Sequence, residues 1–557
     1  KGMAMRNGRL GPSASSGVVR VRLLVLAAVI ALTLGSGTRA VPAPDPPNRI
    51  GGPFGRLLAS ATDLGPARNG PVQLTAALRD ASDPKTLRGW AKDHGLSVRW
   101  RAGDDWAFLA GTPRDLGGAF GVAVHNFRSP SGQVFYASPV QPTVPAQMQA
   151  EVTELGRILN YHRLQVLQPP SLPAEVPAHG LTPTQLMTTY NAGPLATTGK
   201  GQTIVFFEID GYDQFNLGSY SGTFGLSAFT PTLVGGQPAP PDGETEMDLE
   251  IAHALAPDAR LVVVNAIAGL GLQPDTDSKL FASAGFHQKF ASMFEAVNRQ
   301  FPGAIWSLSI GFDCDKETTL ADVRPMRAAL ANAEAHGTSA FTASGDTGGL
   351  ECKNQNYNHF SGFSDPPTED DAGVSTLAAL PEMTDVGGTS VSTDDNGVWL
   401  AEEAWVDSPM SQGTGGGVSN LFPRPAYQNS VSSRQDATHR LTPDVAADAD
   451  PATGAYVLTA GQWAHVGGTS LAAPIWAALA AVMNQYLLEH GGKALGNLNP
   501  LLYRVAAGAA RPAFHDVTLG GNAVDNAGTG YDLVTGLGTP NVDNLVHDLL
   551  DIEQGGR

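Results

Sequence analysis

The chain has 557 residues, of which 42% are hydrophobic and 16% charged, and a formal net charge of −18. That is enough apolar residue for two or three packed domains and too little charge for a disordered chain. The acidic balance, with no basic stripe, excludes nucleic acid as the expected partner.

Arg20 and Arg22 precede the apolar run Leu23–Leu34, and the small-residue stretch "GSGTRA" ends at Ala40. Residues 1–40 therefore read as an export signal, because the run falls short of the roughly 20 residues a membrane span needs. An uncleaved anchor is the alternative. No later segment reads as a span, so a secreted protein without stable membrane association is expected. After the Pro-rich "VPAPDPPN", residues 41–165 mix helical and strand patterns. "DPKTLRGWAKDHG" and "TPRDLGGAFG" read as helices, and "LSVRWR", "DWAFLAG", "VAVHNFRSP" and "QVFYASP" as strands, which makes a small α+β domain. Residues 166–183 carry Pro169, Pro170, Pro173, Pro177 and Pro183 and read as an exposed, extended linker, the kind of segment proteases cut. From 184 to 557 strands and helices alternate. "QTIVFFEI", "RLVVVNAI", "AIWSLSIG" and "TSAFTASGD" are short apolar strands, separated by helical "ETEMDLEIAHALA", "ASMFEAVNRQF" and "DVRPMRAALANAEAHG". Such alternation predicts a largely parallel sheet covered by helices, with ligands at the carboxyl ends of its strands.

Charge is unevenly spread. Residues 1–40 carry six basic and no acidic residues, 41–175 carry 13 basic and 11 acidic, and 176–557 carry 16 basic and 42 acidic. A surface at −26 repels itself at neutral pH and relaxes as carboxylates protonate, which points to an acidic working environment. The two cysteines, Cys314 and Cys352, read as a disulfide in an exported chain, with two separate buried thiols as the alternative.

"HVGGTSLAAPIW" places Ser470 after Gly467, Gly468 and Thr469 at the start of an apolar helix, a good seat for a nucleophile. A serine needs a base. His336 in "AHGTSA" and Asp346 in "SGDTGG" echo the motif fragments of subtilisin-like proteases, but their order along the chain is wrong for that family. His336 also ends an apolar helix, where an imidazole is explained by the helix dipole. His465 lies close to Ser470 in the sequence. "DTG" has no second copy with which to form an aspartic-protease pair. "PDGETEMDLEIAHALAP" offers Glu244 and Asp248, four apart on one helix face, beside an apolar stripe of Met247, Ile251 and Leu255. Acidic residues in a first turn also serve the helix dipole alone.

"GGTSLAAP", "GETEMD" and "ASGDTGG" together closely resemble the sedolisin family of serine-carboxyl peptidases, including kumamolisin-like enzymes. The likeness extends to "LTPTQLMTTYN", "GGGVSNLFPRPAYQ", "PDVAADADPATGAY" and "FHDVTLGGN…GTGYDLVTGLGTP", and so covers most of the chain. It implies a subtilisin-like α/β catalytic domain over 184–557, preceded by a ferredoxin-like prodomain that acts as intramolecular chaperone and inhibitor. By motif position it implies Ser470 as nucleophile, Glu244 as general base, Asp248 as the residue orienting it and Asp346 as the oxyanion acid. Glu208 in "FFEIDG" matches an outer glutamate of some members. Where some kumamolisin-like members have tryptophan after "SIS", this chain has Ile310, a departure in the outer hydrogen-bond network. The substrate is expected to lie extended along Ser309–Gly311 and along Gly415 and Gly416, where a flexible glycine loop is the alternative. One Ca2+ is implied at Asp516 and Asp532, with carbonyls of Val517, Gly528 and Gly530; read alone, these are ordinary Asp/Gly turns.

The expected activity is hydrolysis of polypeptides through a Ser470 acyl-enzyme, at acid pH, from an autoprocessed zymogen. Asp346 can donate to an oxyanion only when protonated, and keeping an unshifted Asp protonated at pH 7 costs about 4 kcal/mol. The slightly positive 41–175 segment against the −26 remainder forms a latch that acid should loosen. The competing expectations are a non-catalytic exported binding protein on the same fold and a neutral subtilisin-like protease.

Overall fold

The computed structural model of the chain describes residues 48–555, apart from 131, 167–170, 174–179, 273–279, 283–284, 354–356, 359–361, 364–367, 408–411, 432–433, 435–436 and 509. The leader expected over residues 1–40 lies outside the described residues.

Residues 72–155 build a four-stranded antiparallel sheet of their own. In chain order the elements are strand Val72–Leu78, helix Lys85–Asp93, strands Ser97–Arg99 and Trp106–Gly111, helix Pro113–Phe120 and strand Val152–Leu155. The third strand lies between the second and the first, and the fourth flanks the first, which is the β-α-β-β-α-β order of a ferredoxin-like unit. The helix Pro113–Phe120 has strong local signals. Thr112 accepts from the Asp115 N–H, proline opens the first turn, and Gly121 closes it in the left-handed region.

The remainder is built on an eight-stranded sheet. Its spatial order is Thr232–Val234, Arg260–Asn265, Thr203–Glu208, Ile305–Leu308, Ser339–Ala343, Thr384–Thr393 and Trp399–Ala404, with Val445–Asp448 also paired to Thr384–Thr393. Every pairing is parallel except that of Trp399–Ala404. The strands are apolar runs because both faces are covered. Helices Glu244–Leu255 and Thr469–Glu489 pack on one face, and Phe286–Gln300 and Leu320–Ala335 on the other. Thr469–Glu489 corrects one expectation: its 21 residues are long and apolar enough to cross a membrane. Here 89% of its apolar window is buried in the sheet's core, so the run is apolar for packing.

Two other readings change. The single strand expected over "AIWSLSIG" breaks at Ser309, and Ile310–Phe312 leaves the central sheet to pair with Tyr161–Val166. The 166–183 linker is also not simply exposed. Ser171–Pro173 pairs with Ala464–Val466, and Leu181 is buried and bridged to Ala455. Cys314 and Cys352 are joined in a disulfide, with Cα atoms 4.9 Å apart.

The N-terminal segment docks on the helix-covered face through ion pairs of both senses. Arg101 contacts Glu295 at 2.7 Å, Arg56 contacts Asp371 at 3.0 Å, and Arg324 reaches back to Asp105 at 2.8 Å.

Candidate active site

Three adjacent parallel strands end on one side of the sheet. Thr203–Glu208 delivers Glu208 and, two residues on, Asp210. Ile305–Leu308 delivers Ser309, and Ser339–Ala343 delivers Ser344 to Asp346. The helices Glu244–Leu255 and Thr469–Glu489 start at this same edge and pack against one another. Five of the side chains singled out from the sequence, Glu208, Glu244, Asp248, Asp346 and Ser470, are thereby gathered, each at most 6% exposed.

The helix carrying Glu244 is held at its start by a residue the sequence reading missed. Its N-cap is Gly243, at φ 112°, which has no side chain to cap with. Asp210 does that work from the neighbouring strand. One carboxylate oxygen accepts from the N–H groups of Asp242 and Glu244, and the other from the N–H and hydroxyl of Thr245. Burial pushes the Asp210 carboxyl up to about 6 against those hydrogen bonds. The available signal was its place in "FFEIDG", just past a strand end.

The apolar stripe Met247, Ile251 and Leu255 faces the core as expected, and the helix has no solvent face opposite it, since all twelve of its residues are buried. Its other carboxyls have structural partners. Glu246 accepts from Asn216 and the Ala460 N–H, and Glu250 from the Leu458 N–H. Glu244 and Asp248 do share one face. Burial first, then the charges of Asp248, Glu208 and Asp210, hold the Glu244 carboxyl well above the usual range. Burial and Glu208 do the same to Asp248, while burial and Asp210 push Glu208 up to about 8. Carboxyls this close in a dry site cannot all ionise, so Glu208 and Asp248 keep a proton between them.

Ser470 is the second residue of its helix, after Gly468 at φ 82°. Gly467 must be glycine, because a Cβ there would meet the Ala449 carbonyl oxygen. Ser470 favours the ionised form of Glu244, yet neither its hydroxyl nor either Glu244 oxygen completes a hydrogen bond. The two face one another with the contact still loose, a common condition without substrate. Pro474 lacks the N–H that would bond the Ser470 carbonyl four residues earlier. The Ser309 hydroxyl donates to that carbonyl instead, at 3.2 Å, and to Asp248 at 2.9 Å. Ser309, whose backbone is expected along the substrate, turns its side chain inward and joins the nucleophile's peptide to Asp248.

On the other side, one oxygen of Asp346 accepts from both the N–H and the hydroxyl of Thr469, each at 2.8 Å. Burial, assisted by the charge of Glu351, pushes the Asp346 carboxyl up to about 6 against these bonds. Asp346 is thus a buried acid fixed to the residue before the serine. The two histidines lie elsewhere. The His336 ring bonds the Asn332 carbonyl at the end of its helix, and His465 lies in strand Gln462–Val466.

Gly415 and Gly416 are packed and not a flexible loop. A Cβ on Gly415 would strike the Ser344 carbonyl, and one on Gly416 the Leu533 carbonyl. Gly311 and its neighbours already have a strand beside them: Ile310, Gly311 and Phe312 pair with Val166, Gln165 and Leu164 of the N-terminal segment. Ile310 is fully buried in the core beneath.

Asp516 and Asp532 fasten on one loop from two sides. Gly530 N–H donates to Asp516, and Gly528 N–H to Asp532, which also accepts from the N–H groups of Val534 and Thr535. Oxygen donors of this kind, carboxylates beside loop carbonyls, are what a hard cation takes, and Asp516 is exposed.

No family model matches the chain. Kumamolisin from Bacillus sp. (strain MN-32) is 32% identical over 500 residues, covering 83% of this chain and 82% of that protein. Sedolisin from Pseudomonas sp. (strain 101) is 29% identical over 441 residues, covering 74% of this chain and 70% of its own length. A solved structure of Pseudomonas sedolisin, described as a serine-carboxyl proteinase complexed with two molecules of pseudo-iodotyrostatin, superposes with a TM-score of 0.55 at 27% identity. It covers 66% of this chain and 98% of that one.

Proposed function

This chain belongs to the sedolisin family and is a serine-type peptidase, and on that premise we propose that it is an exported, acid-acting serine-carboxyl endopeptidase made as a self-processing precursor. The observation carrying this reading is a buried serine flanked by Glu244 on one side and by the acid Asp346 on the other, at the edge where two helices begin and the central strands end. Polypeptides are the substrates.

In the proposed reaction Glu244 takes the Ser470 hydroxyl proton as Oγ bonds the scissile carbonyl carbon. The oxyanion is held by the Asp346 acid proton and by the Ser470 N–H, one of the orphan amides of a helix's first turn. Protonated Glu244 then gives its proton to the departing amine as the C–N bond breaks. Water, deprotonated by Glu244, cleaves the ester and returns the proton to Ser470. Asp248, sharing a proton with Glu208 and fixed by Ser309, keeps negative charge next to Glu244 and orients it. Ionised Asp346 would repel the oxyanion, which supports an acid optimum; a complete profile peaking at pH 7 to 8 would refute the scheme.

Self-processing is supported by where the N-terminal segment runs. It pairs with Ile310–Phe312 up to Val166, beside Ser309, and again at Ser171 with Val466, four residues before Ser470. The scissile bond is expected within the Pro-rich 166–183 stretch. Calcium would be held by Asp516, Asp532 and the carbonyls of Val517, Gly528 and Gly530, where it supplies charge that gathers the loop. Export rests on the leader-like residues 1–40.

The test incubates the precursor in acid, at about pH 4, near the unperturbed carboxyl pKa, beside Ser470→Ala and Glu244→Ala. Cleavage near the Pro-rich junction is expected only in the unmutated chain. Unchanged cleavage in Glu244→Ala overturns the base assignment.

A further inference from the structure

Among the described residues, two groups of His, Cys, Asp or Glu bring three ligand atoms close enough to hold one metal ion. The first, Cys314, Asp315 and Cys352, is already consumed, because both sulfurs are in the disulfide. The second is His162, His287 and Asp313, whose ligand atoms lie within 4.8 Å of one another. These three are 6%, 8% and 9% exposed and belong to neither the catalytic carboxyls nor the 528–530 loop.

They come from three elements that meet where the N-terminal segment docks. His162 lies on strand Tyr161–Val166, His287 is the second residue of helix Phe286–Gln300, and Asp313 follows strand Ile310–Phe312. The rings are held in place: His162 stacks on Phe286 at 4.6 Å and meets His287 edge-on at 5.1 Å. The His162 Nδ1–H donates to Asp313 Oδ2 at 2.8 Å. Asp313 stands at φ 42°, in the left-handed region, a strain that persists only where the surroundings enforce it. His287 Nε2 is buried and has no hydrogen-bond partner. An orphaned buried imidazole nitrogen is costly, and an explanation is owed for it. A cavity of about 40 Å³ adjoins it, lined by these three residues together with Glu317, Asp322 and Arg157. With three carboxyls to one guanidinium, that lining suits a cation better than a neutral guest.

We propose that His162, His287 and Asp313 form a zinc site that clamps the N-terminal segment to the peptidase body. Two imidazole nitrogens and one carboxylate oxygen are a donor set zinc favours over calcium or magnesium, with water from the cavity as fourth ligand. Zinc bonds of about 2.0–2.2 Å set ligand atoms roughly 3.3 Å apart, so His162 Nδ1 and Asp313 Oδ2, now 2.8 Å apart, need only part slightly, with the His287 ligand nitrogen within 4.8 Å of both. On binding, the His162 Nδ1 proton leaves to solvent and its lone pair takes the metal; the Asp313 oxygen that accepted it turns to the same ion. One ligand belongs to the segment and two to the body, so the bound metal resists release of the segment. That consequence rests on reading the segment as the removable part of a precursor.

The test uses the full chain carrying Ser470→Ala, which cannot process itself, so metal binding is read whether or not the peptidase reading holds. Co2+ is titrated in near neutral pH and then displaced by Zn2+. Expected are the visible bands of four-coordinate Co2+ at one equivalent per chain, bleached by Zn2+, and absent in His162→Ala and in His287→Ala. Absence of the bands in the Ser470→Ala precursor, or their survival in both alanine variants, overturns the site. Should either alanine variant lose its circular dichroism, His287→Gln decides: bands retained there, with the fold intact, overturn the proposal. In the chain with Ser470 present, Zn2+ should slow the appearance of processed enzyme several-fold and a chelator should restore it; equal rates overturn the clamp.

Discussion

Replacing Asp346 separates the oxyanion role from a merely structural one. One of its oxygens is occupied by the N–H and hydroxyl of Thr469, which leaves the other to carry the acid proton toward the substrate. With the carboxyl pushed up to about 6, about one molecule in a hundred keeps that proton at pH 8. Asp346→Asn preserves the accepting oxygen for Thr469 and offers an N–H that donates at every pH. Asp346→Ala removes the donor and strands both Thr469 groups. Loss of one oxyanion donor costs about 3–4 kcal/mol, or 10²–10³ in kcat. The assay is kcat/KM on a peptide substrate from about pH 3 to about pH 9, spanning the relevant pKa values. Asp346→Ala should fall by that factor in acid, and the gap should close as pH rises past about 6, where the unmutated enzyme loses the same donor. Asp346→Asn should stay within about tenfold of the unmutated enzyme in acid, a loss of about 1.4 kcal/mol, and its alkaline limb should move upward. The stability sign is also fixed. A carboxyl raised from 3.8 to about 6 binds its proton more tightly in the folded state, so stability falls as pH rises across that window, by about 3 kcal/mol for this group. Asp346→Asn should flatten that fall. An asparagine variant as inactive as alanine at every pH, or one with an unmoved alkaline limb, refutes the reasoning.

Ser309→Ala should lower kcat with little change in KM, because it frees Asp248 and the Ser470 carbonyl while touching no substrate; an unpaired buried group costs about 1–3 kcal/mol, and a pure KM effect would contradict it. Calcium chelation should lower the unfolding temperature, and Asp532→Ala should abolish the difference; identical melts with and without chelator would exclude the site. Cys314→Ser should destabilise the protein by up to about 4 kcal/mol in a denaturant melt, as expected for a loop closed over 38 residues, and an unchanged midpoint would argue against the bond. Arg101, by its hydrogen bond and charge, holds Glu295 below its usual range, so this pair favours docking above that range and is lost as pH falls through the lowered value. Glu295→Gln should make release of the segment less dependent on pH, and an unaltered pH dependence would remove the pair from the latch.

The sheet and its covering helices were legible because each rests on a local signal, whereas Glu244, Asp248, Asp346 and Ser470 were named through motif resemblance, and the structure gathers them as buried side chains. Apolar runs mark the strands, and glycines mark the close approach before the serine. What was not legible depends on where strands end in space. Asp210 caps a helix 34 residues away, and nothing in its neighbourhood advertises that partner. The inward turn of Ser309 required a break in an apolar run that reads as continuous. The stripe of helix Glu244–Leu255 was legible, but burial of its polar side was not, because tertiary contacts cover every side of the helix and amphipathic patterning does not report them. Within the linker, Ser171–Pro173 is a strand, and its pairing with Ala464–Val466 is a property of the surface it meets that composition does not report.

Pro474 has a mechanical consequence. In an unbroken helix the peptide of residue 470 would be tied to the turn above it and would move as that turn moves. Here the tie runs sideways, from the Ser470 carbonyl through the Ser309 hydroxyl to the end of a central strand. The nucleophile is therefore indexed to the sheet, the stiffest part of the molecule, and the long apolar helix behind it can breathe without dragging the serine away from its carboxyls.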